Sequence, residues 1–153
     1  MLRVNRILCN ILATALEFAT APSGKVLQVI TANDSTQRDT SSTSFVTGSN
    51  TLSVSITPSS ASNKVLILAS CNIIAGPGDG YIRLHKDGTT LTGSSSFAAT
   101  QSSAQTRAAI MYLDSPATTS STTYQIYFRT NVSSASLNWD GQYSTITALE
   151  IAG

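Results

Sequence analysis

The stretch Thr51–Ala75, TLSVSITPSSASNKVLILASCNIIA, decides how this chain folds. In its first half Leu52, Val54 and Ile56 alternate with Ser53, Ser55 and Thr57. That period of two puts hydrocarbon on one face of a β-strand and hydroxyls on the other. In its second half Val65, Leu66, Ile67 and Leu68 are apolar at every position, so both faces of that strand are expected to be covered. Full burial stabilises each such side chain by roughly 1.5–3 kcal/mol. Pro58 and the polar run Ser59–Asn63 cannot extend a ladder, and they mark a turn between the two strands. A one-sided strand joined to a central strand by a hairpin is how a two-layer β-sandwich begins.

The same period recurs on both sides of this stretch. Upstream, KVLQVIT over Lys25–Thr31 reads as the first strand, after the punctuation of Pro22, Ser23 and Gly24. Residues 33–50 read as a long polar connection anchored by Phe45 and Val46. Its first half is expected to be a loop and its second an edge strand. Downstream, Tyr81–Lys86 turns Ile82 and Leu84 inward, and Asp87-Gly88 signals a hairpin that returns through Thr89–Thr92. Residues 93–103 read as a small-residue loop around Phe97, and Arg107–Leu113 as another strand. Thr122–Thr130 sets Tyr124, Ile126 and Phe128 against Gln125, Tyr127 and Arg129. Leu137–Trp139 reads as a short strand, Asp140-Gly141 as a second hairpin signal, and Tyr143–Ile151 as the last strand. About eight strands at short intervals, with no helical period after Leu16, predict an all-β, jelly-roll-like sandwich over residues 24–153.

Composition narrows the class of function. The 153 residues suit one domain. Only 11% of them are charged, against about 25% in an average soluble domain. Forty-five are Ser or Thr, so hydroxyls solvate the surface in place of charges. Nine basic and eight acidic residues are scattered along the chain, for a net charge of +1. That pattern leaves no footprint for nucleic acid. A surface so poor in charge is weakly protected against self-association, which points to residence in an assembly. Cys9 and Cys71 form neither a disulfide framework nor a CxxC pair, and they read as two buried thiols.

Residues 1–23 stand apart from the sandwich. Arg3 and Arg6 precede an apolar run, and Ala13-Thr14-Ala15 and Ala19-Thr20-Ala21 fit small-residue cleavage sites, as in a secretory signal peptide. Asn10 interrupts that run, and the segment is too short and broken to span a bilayer. The alternatives are an extended arm or a helix with Ile7, Leu8, Ile11, Leu12 and Leu16 on one stripe. We read it as an arm or helix that docks on a neighbouring subunit.

Candidate chemistry is sparse. His85 is the only histidine, which rules out His-based triads and multi-histidine metal sites. Opposite the inward Ile82 and Leu84, it reads as a surface residue. Asp79, Asp87 and Asp140 each precede glycine, but no calcium-loop spacing links them, and turn formation accounts for all three. No pair of carboxylates is singled out for acid–base work, so no catalytic, cofactor or metal site is expected. Asn33 and Asn131 head glycosylation triplets of the kind a Ser-rich chain forms by chance. Aromatic residues are better candidates for contact. Tyr127 and Trp139 are expected to be exposed, because Ile126 and Phe128 already define the inner face.

Six stretches, in order, carry a likeness: Gly24–Val29 (GKVLQV), the tract Thr36–Ser44, Leu52–Ser60 (LSVSITPSS), Asn63–Ile67 (NKVLI), Leu113–Thr119 (LDSPATT) through Tyr124, and Ser144–Gly153 (STITALEIAG). Together they resemble a domain that recurs in structural proteins of tailed bacteriophages, especially marine and freshwater ones. That domain often ends a tail-fibre-like protein. The resemblance spans nearly all of Gly24–Gly153 and implies a virion structural protein with no catalytic residues. No long shaft or tail-adaptor domain precedes Gly24, so the expectation is a capsid decoration (cement) protein on the particle exterior. It would be a homotrimer in contact with the major capsid protein. The rival expectation is a receptor-binding tail-fibre or head-fibre tip that holds host surface glycans.

Overall fold

The computed structural model describes residues 23–91, 105–131 and 133–153 in full and residues 97–99 by backbone. The expected arm, with Ile7, Leu8, Cys9, Ile11, Leu12 and Leu16, lies outside the described residues.

Among the described residues eleven strands follow one another: β1 (Val26–Asp34), β2 (Arg38–Thr40), β3 (Ser53–Ile56), β4 (Lys64–Ala75), β5 (Gly80–Lys86), β6 (Thr89–Thr90), β7 (Phe97–Ala99), β8 (Gln105–Asp114), β9 (Thr122–Thr130), β10 (Ala135–Leu137) and β11 (Ser144–Ile151). All pairings are antiparallel. The first sheet runs β1, β11, β4, β8, with β10 and then β2 added along the β11 side of β4. The second runs β3, β9, β5, with β6 and β7 both along the far edge of β5. With β6 and β7 taken as one interrupted strand and β2 and β10 set aside, eight strands remain. Their order in the two sheets is 1-8-3-6 and 2-7-4-5, the arrangement of a jelly roll.

Alternation builds the core. Tyr124, Ile126 and Phe128 on β9 are fully buried, as are Ile82 and Leu84 on β5, Val65, Ile67 and Ile73 on β4 and Ile146 on β11. One apolar cluster joins both sheets. A loop closes over it at Gly48 (φ 55°), where an added Cβ would sit 2.6 Å from the Phe128 ring, so only glycine fits.

Several expectations change. Val54 and Ile56 do face the same core as Val65 and Ile67, but β3 and β4 belong to different sheets. Residues 57–63 therefore carry the chain across the sandwich and make no hairpin. Strand β4 is central, with β8 on one edge and β11 and β10 on the other, yet only one of its faces is covered. Leu66 is half-buried and Leu68 exposed on the other. The edge strand of 33–50 falls in its first half, at Arg38–Thr40, while Val46 makes a single bridge to Phe128. Part of the 93–103 loop is strand β7, paired with Gly80–Ile82. Trp139 belongs to a 3-10 turn, Trp139–Gly141, and not to a strand. Strands β10 and β11 lie end to end along β4, so Asp140-Gly141 forms a corner between them, with Asn138 and Asp140 both at φ 56°.

Candidate functional site

The sandwich has two outer faces of unlike chemistry, and strand register fixes what each displays. On the first sheet Val29, Leu149, Leu66 and Leu113 stand side by side across β1, β11, β4 and β8. The next row is Thr31, Thr147, Leu68 and Met111, and the one after it Asn33, Thr145, Ser70 and Ala109. None of these twelve side chains is charged. Exposure reaches 79% at Met111, 56% at Val29, 52% at Leu113 and 39% at Leu68. A shallow depression of about 470 Å³ lies on this face between Leu68, Met111, Thr145 and Thr147. Contiguous exposed hydrocarbon of this kind marks contact surfaces. The signal was present in the sequence as VLIL and AIMYL, where uninterrupted apolar character reads as burial.

The second sheet displays Tyr81, Arg83 and His85 from β5 against Arg129, Tyr127 and Gln125 from β9, as cross-strand pairs. Phe45, from the loop after β2, lies over them. The Arg83 guanidinium carbon is 4.1 Å from the centre of the Phe45 ring. That of Arg129 is 4.1 Å from the centre of Tyr81 and 5.2 Å from that of Phe45. His85 stacks on Tyr127 with ring centres 3.8 Å apart and planes 8° from parallel. It is buried, contrary to the surface position expected. Its Nδ1 lies 3.1 Å from the Gly88 carbonyl, which can only accept, and its Nε2 lies 3.3 Å from the Thr90 hydroxyl. The β5–β6 hairpin thus draws the ring inward.

Tyr127 and Trp139 are not brought together. Tyr127 is half-buried on the second sheet under the contacts just described. Trp139, 41% exposed, borders a separate depression of about 350 Å³ with Ile74, Gln105, Ser134 and Ser136. Tyr143, one of the chain's aromatics that the sequence ranked below Tyr127 and Trp139 for exposure, is more exposed still, at 64%.

Three buried carboxylates also escaped the sequence reading, and each is bound into the fold. Glu150 accepts from Gln28 Nε2, Asn63 Nδ2 and both the amide and hydroxyl of Ser59. Burial by itself raises its pKa, but those donors outweigh it and hold the carboxyl at about 2. Asp34 accepts from the Thr36 and Thr51 amides. Its burial is likewise outweighed by those amides and Arg38, so its pKa is lowered. Asp114 accepts from Lys86 Nζ at 2.8 Å and the Tyr124 hydroxyl at 2.6 Å. Burial, then that hydrogen bond, pushes the Tyr124 phenol well above its ordinary range. Burial also pushes the Cys71 thiol up to about 12, leaving it an inert hydrophobe.

The loop aspartates are turn residues. Asp87 (φ 48°) accepts from the Thr123 amide, and Asp79 accepts from Tyr81 Oη and Asn131 Nδ2. Among the described residues no three His, Cys, Asp or Glu side chains come together as metal ligands. No helix among them is long and apolar enough to cross a membrane.

No protein-family model matches the chain, and no curated protein does. Among solved structures it is similar to a mutant VP2 protein of infectious bursal disease virus, in derived T=1 particles, at 13% identity and a TM-score of 0.42. It is similar also to the structure of the Gx strain of that virus, at 16% identity and a TM-score of 0.41. Each alignment covers 86% of this chain but only 37% and 39% of the respective partner. The chain thus spans less than two fifths of the length of the proteins it matches.

Proposed function

We propose that the chain is a virion structural protein of a tailed bacteriophage, a capsid decoration subunit that works on the particle exterior as a homotrimer. The observation that carries this reading is the patch of three uncharged rows on the outer face of the first sheet, between Lys64 and Arg107, with Met111, Val29, Leu113 and Leu68 open to contact. The family likeness of Gly24–Gly153 supplies the setting. The mechanism is adhesion. The apolar face and the stripe of Ile7, Leu8, Ile11, Leu12 and Leu16 bridge this subunit to its copies and to the major capsid protein, and so oppose internal pressure. Particles assembled with Met111→Glu and Leu68→Glu protein should bind fewer copies and release DNA at a lower temperature than particles with the unaltered chain. Equal occupancy and equal heat resistance would sink the reading.

A second reading has its own support in the depression beside Trp139. An exposed indole with Gln105, Ser134 and Ser136 around it offers the stacking plane and hydrogen-bonding groups that suit a sugar. In this reading the chain is a fibre tip that holds host surface glycans. Glycan-array binding that disappears on Trp139→Ala would favour it over the decoration role.

A further inference from the structure

On the outer face of the second sheet two cations stand close together with no carboxylate in ion-pair contact among the described residues. The guanidiniums of Arg83 and Arg129 both converge on the Phe45 ring. The ion pairs of the described residues, Arg38 with Asp34 and Lys86 with Asp114, involve neither of them. Among the described residues Arg129 reaches only carbonyls, those of Thr43 and Thr130, at 3.5 and 3.3 Å. Arg83 Nε is buried with no hydrogen-bond partner among the described residues. A buried donor left unpaired costs free energy, and in a folded protein it calls for an unplaced partner. Two like charges held near one ring also repel. Rings fix both side chains in place: Arg83 lies on Phe45, and Arg129 on Tyr81. Their planar donor edges are therefore preorganised for an oxyanion, which a guanidinium takes in bidentate fashion. Asp79, at the rim, keeps its charge but is turned to Tyr81 and Asn131 and pairs with neither guanidinium.

We infer that this face binds a carboxylate-bearing sugar polymer, with Arg83 and Arg129 holding the carboxylate. The surroundings favour a sugar over an acidic peptide. The aromatic faces toward the cluster are already taken by guanidinium or imidazole, so no apolar slot is left for a peptide side chain. The polar groups beside the cluster, Gln125 and Ser53 along the strands and Ser42–Ser44 in the loop that carries Phe45, match the hydroxyls of a sugar. This site is independent of the Trp139 depression and of the apolar face on the other sheet.

The test is titration calorimetry of the full chain with polygalacturonate, neutral dextran and poly-glutamate. Binding of polygalacturonate alone is expected, weakening with added salt. Arg83→Gln and Arg129→Gln should each weaken it at least about tenfold, the loss that goes with one charge-assisted hydrogen bond. Arg83→Lys, which keeps the charge but not the fork, should fall between, with an unchanged circular dichroism spectrum. Lys64→Gln, which removes an exposed cation from the other sheet, should leave the affinity unchanged. Absence of polygalacturonate binding, equal binding of dextran or of poly-glutamate, or full affinity in folded Arg83→Lys and Arg129→Gln proteins would each overturn the proposal.

Discussion

Glu150 is a charge placed where water cannot reach it, 1% exposed, and it fastens the 57–63 crossover to β11 through Ser59 and Asn63. Its folded pKa of about 2 lies below the ordinary 4.5, so the unfolded chain binds its proton first as pH falls. The stability it contributes is complete above pH 4.5 and is lost as pH falls from there toward 2. At 1.36 kcal/mol per unit the whole effect is about 3 kcal/mol. Denaturant melts across that window should therefore show a steeper loss of stability in the unaltered protein than in Glu150→Gln. Equal slopes would mean that the carboxylate is not held as described. Asp34 adds to the slope with the same sign and remains in both proteins. Neighbouring positions on β4 make a second contrast. Ile67 is fully buried, and its truncation to alanine should cost about 2–5 kcal/mol. Leu66 faces out and is half-buried, so Leu66→Ala should cost the isolated domain clearly less. A Leu66→Ala loss as large as that of Ile67→Ala would mean that the outer face is already covered in the isolated chain.

Strands differ in how firmly they are held, and β4 should be the most protected, because it has partners on both edges along nearly its whole length. Native-state hydrogen exchange should find its amides slowest, with β9 next and the short edge pieces β2 and β6 fastest. Fast exchange in the middle of β4 would contradict a central place for that strand. The existence of these elements was legible because a half-buried strand prints its period of two directly on the sequence, and Thr122–Thr130 and Tyr143–Ile151 were placed almost to the residue. Asp87-Gly88 was legible for a similar reason, since a tight hairpin is a local event. Partnership was not. Whether β3 turns back on β4 or crosses to β9 depends on residues some seventy positions away, and a polar turn serves either route. Burial on the second face of β4 was misread because an unbroken apolar run reads the same whether its second face is packed or open. The Arg83, Arg129 and Phe45 cluster had no sequence signal beyond outward parity, since it joins β5, β9 and a loop.

At the scale of the whole molecule, the decisive question is what residues 1–21 do for the sandwich. Among the described residues the core cluster and the side chains packed on it are drawn from positions between Ile30 and Ala148, and β1 begins at Val26 with its ladder to β11 intact. The chain turns at Ser23 and Gly24, where Gly24 has φ 82° and its amide reaches the Ala152 carbonyl. That turn lies at the corner where Val26 and Ile151 begin the apolar face. Deletion of residues 1–21 should thus leave strand content by far-UV circular dichroism unchanged. If Ile7, Leu8, Ile11, Leu12 and Leu16 dock on a neighbouring copy, as segments exchanged around a symmetry axis do, the truncated protein should sediment at a lower mass, attach poorly to particles, or both. Unfolding of the truncated domain would place the segment in the core and end the docking idea. A truncated protein that folds, assembles and decorates particles as before would show the segment to be dispensable and return weight to its reading as a cleaved export signal.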